Sequence, residues 1–307
     1  MNVILIAALR KAWNSCDVAF GHSSPYRLFK NKIRTAIMVL RYRTESMEWF
    51  ERIERHDFKP FIEKIPSLAL KPMRVYMSKK WNLTKRKKVL LDSYLLISRY
   101  PAFVCAIIQD NGFELARFDS SGAGVMRIIA CYKHALKKDG ELSIILCGDN
   151  FTNAIYKMTI SFEQEHNGEW LCYIGCIQGG IGKEEIKVAT KAMYGLRPAS
   201  FMVFVAQEIA ASLEEKVSRM MGLGNDIHSH KAKHLIHIRE IHKIDFNYND
   251  LWEDAGGELT SDGWFDLPLK LERREVQEVK SNKRAQYRRR YEMLNDIACQ
   301  IMQYVSV

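Results

Sequence analysis

From Phe103 onward the chain breaks into short runs rich in β-branched and aromatic residues, and this rhythm restricts the fold more than any other feature. The runs cover residues 103–109, 113–118, 125–131, 142–147, 154–162 and 170–178. Between them stand Asn111-Gly112, Ser120-Ser121-Gly122, Asp139-Gly140, Gly148-Asp149-Asn150 and Asn167-Gly168. Those residues reach left-handed backbone or close a turn with their own side chains, so the pattern predicts an antiparallel meander. Residues 127–136 are the stretch in which a helix competes.

The first hundred residues read differently. Ile33, Ile37 and Leu40, then Met47, Phe50 and Ile53, recur at helical spacing, and Pro60, Pro66 and Pro72 punctuate the residues beyond Ile53. A helix is expected from Thr84 as N-cap, carrying Val89, Leu90 and Tyr94 and stopped by Pro101. Residues 2–13 form an amphipathic helix, with insertion into a membrane surface as its alternative reading. Beyond the meander, residues 183–194 are predicted helical up to Gly195, and residues 198–213 form a second helix opened by Pro198. Phe201, Phe204, Val205 and Ile209 share a face of that helix, and Met202, Val203 and Ala206 leave little polar surface, which suits packing on a sheet.

Strands over 216–221 and 234–244 are expected to complete the sheet. A loop holding Gly256, Gly257, Asp262, Gly263 and Pro268 then leads to a basic helix from Leu271. Its stripe of Tyr287, Tyr291, Leu294, Ala298 and Ile301 is predicted to dock, leaving the arginines outward. The fold class is therefore α+β: a mainly helical region over 1–100, then an α+β domain over 101–307. In that domain a mainly antiparallel sheet packs with helices, open to a GNAT-like arrangement, and a basic helix ends the chain.

With 47% hydrophobic and 27% charged residues in 307, general disorder is excluded. Seven unpaired-looking cysteines argue for a reducing compartment, and no run approaches the roughly 18 apolar residues that span a bilayer. The expected place is the cytoplasm, or the periphery of the inner membrane. The net charge of +10 is focused. Residues 71–88 carry eight cations and no acid, residues 270–290 carry a net +6, and the remainder is mildly acidic at −4. Focused cations suit an anionic ligand, a protein partner or an anionic membrane surface, and nucleic acid less well because aromatic residues are sparse there. Two solvated helix faces are the plain alternative.

Chemical motifs are few. Gly179-Gly180-Ile181-Gly182-Lys183 follows a predicted strand and opens a predicted helix, the order of a phosphate-cradling loop. It lacks the P-loop glycine six residues before the lysine and the following Ser or Thr, and the GNAT pyrophosphate pattern fails after Gln178. His230, His234 and His237 would share a helix face, yet the surrounding isoleucines favour a strand, so no metal is expected. Cys172 and Cys176 fall on one face of a strand, where buried thiols usually act as small hydrophobes. Catalytic residues are not assigned.

Seven local motifs carry a family resemblance. They are Arg74-x-Tyr76-x-Ser78, Cys176-Ile177-Gln178-Gly179, Gly195-Leu196-Arg197-Pro198, Asn225-x-x-His228, Tyr248-x-x-x-Trp252-Glu253-x-x-Gly256-Gly257, Phe265-x-Leu267-Pro268 and Lys283-Arg284-x-x-Tyr287-Arg288-Arg289-Arg290-Tyr291. In this order, over about two thirds of the chain, they resemble the VirK/YbjX family of Gram-negative bacteria. Where that resemblance expects His-Tyr, this chain has Ser93-Tyr94.

The resemblance implies an accessory role in virulence, cell-envelope and surface-protein maintenance, and resistance to host antimicrobial peptides. Gln178, Gly179, Gly180, Arg197, His228, Trp252, Glu253, Lys283, Arg284, Tyr287 and Arg288 are the candidate ligand-binding residues, with a structural role equally open to Trp252 and Arg197. Two other functions compete with an anion-binding accessory factor. One is a GNAT-like acyltransferase using acyl-CoA or acyl carrier protein, and the other is a nucleic-acid-binding regulator.

Overall fold

The computed structural model describes residues 3–120, 122–229 and 247–306. Helices come first: α1 (Val3–Phe20), α2 (Pro25–Arg41), α3 (Arg43–Arg52) and α4 (Lys59–Lys64), then a 3-10 segment over Pro66–Met73, α5 (Leu83–Ile97) and α6 (Pro101–Ile108). The predicted helix near Thr84 exists, but Asn82 is its cap: the Asn82 side chain accepts from the Lys85 amide at 2.9 Å.

Residues 103–108 of the run expected as a strand belong to α6, and Gln109 is its C-cap. Pro101 opens that helix rather than merely closing the previous one, and Ala102, Phe103, Ala106 and Ile107 are buried at helical spacing. The β-branched content of the run suggests the wrong period.

The meander is as expected. Strands β1 (Phe113–Ser120), β2 (Gly124–Cys131), β3 (Leu142–Gly148), β4 (Tyr156–Gln164) and β5 (Trp170–Gly179) pair antiparallel in sequence order. Helices α7 (Lys183–Ala192) and α8 (Pro198–Ala211) then carry the chain to β6 (Val217–Leu223), which lies parallel to β5. The predicted strand over 234–244 and the histidines at 230, 234, 237 and 242 lie outside the described residues.

After α9 (Tyr248–Asp254), the glycine-rich stretch expected as loop contributes two short strands, β7 (Glu258–Leu259) and β8 (Trp264–Leu267). The described residues thus build an eight-stranded sheet in the order β1-β2-β3-β4-β5-β6-β8-β7, with β5/β6 its parallel pair. Helix α5 packs on β4, and α8 packs on β4 and β5. From Phe201 through Gln207 every residue of α8 is buried, so the helix lies inside the core, as its nearly all-apolar sequence predicts.

The last helix, α10 (Arg284–Val305), begins thirteen residues later than the expected start at Leu271. Residues 271–280 lack an apolar stripe to dock, and Arg284 instead folds back onto the Val279 and Gln277 carbonyls at 3.0 and 2.9 Å. The docked stripe is rotated from the expected one: Met293, Leu294, Ile297, Ile301 and Val305 are buried, with Tyr291 and Ala298 at its margin. Buried apolar side chains from Leu5 to Val305 form a single cluster.

Candidate functional site: the fork between β5 and β6

The β5/β6 ladder runs from Trp170/Val217 to Ile174/Gly222 and stops there, although β5 continues to Gly179. Gly175 is the cause. In the β4/β5 register Thr159 faces Cys176 and Ile160 faces Ile174, so Gly175 is an extra, bulged residue that bends β5 away. Only glycine fits, because a Cβ at this position would stand 1.6 Å from the Asp139 carbonyl oxygen.

Two aromatic residues of α9 bridge the fork. Trp252 lies against Gly222 and its Nε1 donates to the Leu223 carbonyl at 3.0 Å, on the β6 side. Tyr248 reaches the β5 side, where its hydroxyl lies close to the Ile177 main chain. Burial, followed by the neighbouring Cys176 and Asp139, pushes the Tyr248 hydroxyl well above the usual phenol range. His228 stacks on Tyr248 with ring centroids 5.6 Å apart and is itself buried.

The floor of the fork is polar and buried. The Thr159 hydroxyl donates to the Asp139 carbonyl at 2.7 Å and lies 3.4 Å from the Cys176 sulfur. Ser229 Oγ donates to Asp139 Oδ1 at 3.4 Å. The segment from Tyr76 to Ser78 is clamped from both sides: the Met77 amide donates to the Lys138 carbonyl, the Ser229 amide donates to the Met77 carbonyl, each at 2.7 Å, and Ser78 bridges His228. Those bonds hold Met77 at φ +49°, a left-handed conformation that a non-glycine residue adopts at a cost of about 1 kcal/mol or more.

Behind this floor lies an ion pair in the core. Lys71 Nζ is 2.6 Å from Glu141 Oε1, with the Glu141 side chain fully buried. Tyr76, Tyr94 and Tyr132 surround it, and their hydroxyls are pushed up first by burial and then by the Glu141 charge. Burial likewise pulls the Lys71 ammonium down.

The candidate residues from sequence divide into three places. His228 and Trp252 stand at the fork and Gln178 at the end of β5, beside the Cys176 thiol. Arg197 lies 3.3 Å from Asp254 at the exposed end of α9, next to the exposed Glu253. Lys283, Arg284, Tyr287 and Arg288 sit together at the start of α10, anchored where Arg290 donates to the Tyr194 carbonyl at 2.7 and 3.1 Å. Arg290 is therefore not outward, as its stripe suggested.

Gly179 and Gly180 are exposed. The Gly180 amide donates to the Ile155 carbonyl at 3.1 Å, and the Gly182 amide donates to the Glu185 carboxylate at 2.9 Å. A carboxylate of the chain itself thus takes the favourable position at the N-terminus of α7.

The first basic block is largely spent on internal pairing. Lys71 pairs with Glu141, Lys85 with Glu163, Lys87 with Glu48 and Lys88 with Asp92, while Arg74 stacks over Phe20 and Arg86 is buried. Lys79 and Lys80 are exposed. Ser93, at the place where the resemblance expects histidine, both donates to the Phe162 carbonyl and accepts from its amide, at 3.0 and 2.8 Å, and so ties α5 to β4.

Three polar residues of the fork, Asp139, Thr159 and Ser229, are not singled out by the sequence. Asp139 is legible there only as a turn residue. Tyr76, Ser78 and Tyr248 are visible as members of the motifs, and the fold brings those motifs to one point. Among the described residues no group of three or more His, Cys, Asp or Glu side chains is placed to hold a metal ion.

Fold and site together define an α+β protein with a mixed sheet, in which part of the motif set, Tyr76, Ser78, Cys176, His228, Tyr248 and Trp252, meets where the parallel strands part. A family model described as "Protein of unknown function (DUF535)" matches residues 26–303, and the chain belongs to that family. It is 26% identical to the "Uncharacterized protein YbjX" of Escherichia coli (strain K12) over 263 residues, 83% of this chain and 78% of the relative. Two uncharacterized proteins of Haemophilus influenzae (strain ATCC 51907 / DSM 11121 / KW20 / Rd) are also similar. One is 30% identical over 58% of this chain and 57% of its own length, the other 32% identical over 38% and 36%. The YbjX match agrees with the resemblance carried by the motifs. No solved structure matches the chain.

Proposed function

We propose that the chain is a GNAT-like acyltransferase of the bacterial cell envelope, taking an acyl group from acyl-CoA or acyl carrier protein at the fork between β5 and β6. The observation that carries this reading is the parting of the parallel pair after Ile174/Gly222 at the Gly175 bulge. With Tyr248 and Trp252 displaced from the fork, the β5 main chain beyond Gly175 would be free to pair with the amides of a pantetheine arm. A thioester carbonyl entering there would meet the Tyr248 hydroxyl beside the Ile177 main chain.

The polar groups supply the proton transfers. An acceptor amine or hydroxyl forms the new bond to the acyl carbon while the carbon–sulfur bond breaks. His228 takes the acceptor's proton, and the Tyr248 hydroxyl stacked beside it gives one to the sulfur as the carbon–sulfur bond breaks, its own proton being restored from His228. Cys176 is not the nucleophile in this scheme, because burial pushes its thiol far up. The envelope and virulence setting, including resistance to host antimicrobial peptides, comes from the family resemblance.

Calorimetry on the full chain with an acyl-CoA and with an acylated carrier protein tests the reading. Binding of one donor, and transfer lost in Tyr248→Phe with binding retained, is the expected result. Binding of neither donor overturns it.

A second reading, an accessory factor that binds an anionic ligand or partner, is favoured by the exposed cations Lys283, the cap of α10, and Arg288 and Arg289 on its first turns. Lys283→Glu with Arg288→Glu should then abolish the envelope phenotype while leaving donor binding unchanged. An unaltered phenotype removes this reading.

A further inference from the structure

Helix α2 turns an apolar stripe away from the protein. Tyr26, Phe29, Ile33, Ile37 and Leu40 recur at three- and four-residue steps and stand exposed, Tyr26 by 74%, Phe29 by 59% and Ile37 by 57%. The opposite side of the same helix is the one that packs, through the buried Thr35 and Val39 and the half-buried Leu28. From Tyr26 to Leu40 the stripe runs about 21 Å at 1.5 Å per residue. Of the fifteen large apolar side chains exposed among the described residues, ten lie between Val3 and Leu40. Exposed apolar surface this concentrated marks a contact surface rather than chance.

The charge beside the stripe identifies what it contacts. On a helical projection Arg27, Lys30, Arg34 and Arg41 lie along one border of the apolar stripe. Residues 3–41 contain seven Lys and Arg and a single acidic residue, Asp17, a net of +6. Asp17 is taken by Lys32 at 2.6 Å, and Lys11 pairs with Glu54, but the four border cations have no ion pair among the described residues. Pairing with a second copy of the chain would bring two surfaces of +6 together. An anionic surface with an apolar interior accepts both halves of the pattern.

We propose that α2 is a membrane-surface helix. Its apolar stripe enters the boundary of an anionic bilayer, and Arg27, Lys30, Arg34 and Arg41 engage the lipid phosphates while their stems run along the apolar zone. No single helix of the described residues is long and apolar enough to cross a membrane, so this is attachment in the plane of the surface. The proposal does not depend on the acyltransferase reading, and it would hold for a non-enzymatic protein equally well.

The experiment is flotation of the full chain with vesicles of phosphatidylcholine alone and of phosphatidylcholine with 30% phosphatidylglycerol. The expected result is at least tenfold more protein floating with the anionic vesicles, and recovery from them when salt is raised to about 0.5 M, where the Debye length is only a few ångströms. Phe29→Ser with Ile33→Ser and Ile37→Ser should abolish flotation while leaving the melting temperature within about 2 °C, because those side chains are already exposed. Arg27→Gln with Lys30→Gln and Arg34→Gln should erase the preference for anionic vesicles.

Equal flotation with both vesicle types, or none with either, overturns the proposal. So does sedimentation equilibrium showing a dimer that the triple serine variant dissolves, which would assign the stripe to a second copy.

Discussion

The indole of Trp252 occupies the space that a side chain at Gly222 would need: a Cβ there would lie 2.7 Å from two ring carbons. With its Nε1 held by the Leu223 carbonyl, the ring has no room to retreat. Gly222→Ala is therefore expected to destabilise the fold by about 1–3 kcal/mol, the usual cost of overpacking a closed core. Chemical denaturation should show the midpoint falling at an unchanged slope. The companion change Trp252→Phe removes both the overlap and the hydrogen bond, so combining it with Gly222→Ala should cost less than the sum of the two. Strict additivity would show that the indole does not seal the fork.

The Lys71–Glu141 pair sets a sharper condition on the core. A charge pair this deep is worth little against an apolar replacement of equal shape, but removing one partner strands the other. Lys71→Met leaves the Glu141 carboxylate among three tyrosine rings and should cost about 3–5 kcal/mol. Lys71→Met with Glu141→Gln should recover much of that loss. Urea titrations of the single and double variants decide it, and a double variant no more stable than Lys71→Met would mean that the two residues are not coupled.

Neither contact is visible from the chain alone, whereas much of the sheet around them is. The strands from Phe113 to Gln178 are readable because each apolar run is bounded by a turn that needs glycine or asparagine, a local constraint written in adjacent residues. Pro198 before an apolar run makes α8 readable for the same reason. Residues 101–108 are not, since four buried positions in an eight-residue apolar run fit either period.

The site is less local still. Thr159, Asp139 and Ser229 meet through residues far apart in the chain, and nothing near Asp139 marks it as more than a turn. Only the motifs holding Tyr76, Cys176, His228 and Tyr248 point toward it. The first basic block misleads because charge counted along the chain ignores Glu48, Glu141 and Glu163, which the fold brings to it.

Lys137 gives the fold a pH dependence of definite sign. Partial burial, with Arg74, Lys71 and Lys138 nearby, pulls its ammonium from 10.5 down to about 8. Between those two values the unfolded chain keeps a proton that the folded one has released, so this group makes stability rise as pH climbs from about 8 toward 10.5. Below about 8 both states are protonated, and the folded one carries an unfavourable charge. Lys137→Met should therefore raise the melting temperature at pH 7 and flatten its dependence between pH 8 and 10. Parallel slopes for the two proteins across that window would refute the assignment.

The cysteines separate a structural from a chemical role for Cys176. Its thiol and that of Cys172 are fully buried in β5, and burial pushes Cys172 up to about 12 and Cys176 further. Thiolate is the reactive form, so at pH 8 neither should react while the protein is folded. Cys299 is exposed on α10 and is expected to be modified first. Iodoacetamide labelling followed by peptide mass analysis should find Cys299 alkylated within minutes, and Cys172 and Cys176 only at the rate of global unfolding or in denaturant. Cys176→Ala should then retain any acyl transfer that Tyr248→Phe loses. Rapid labelling of Cys176 in the folded chain, blocked by an acyl donor, would instead make the thiol the group that receives the acyl chain and would reassign the chemistry of the fork.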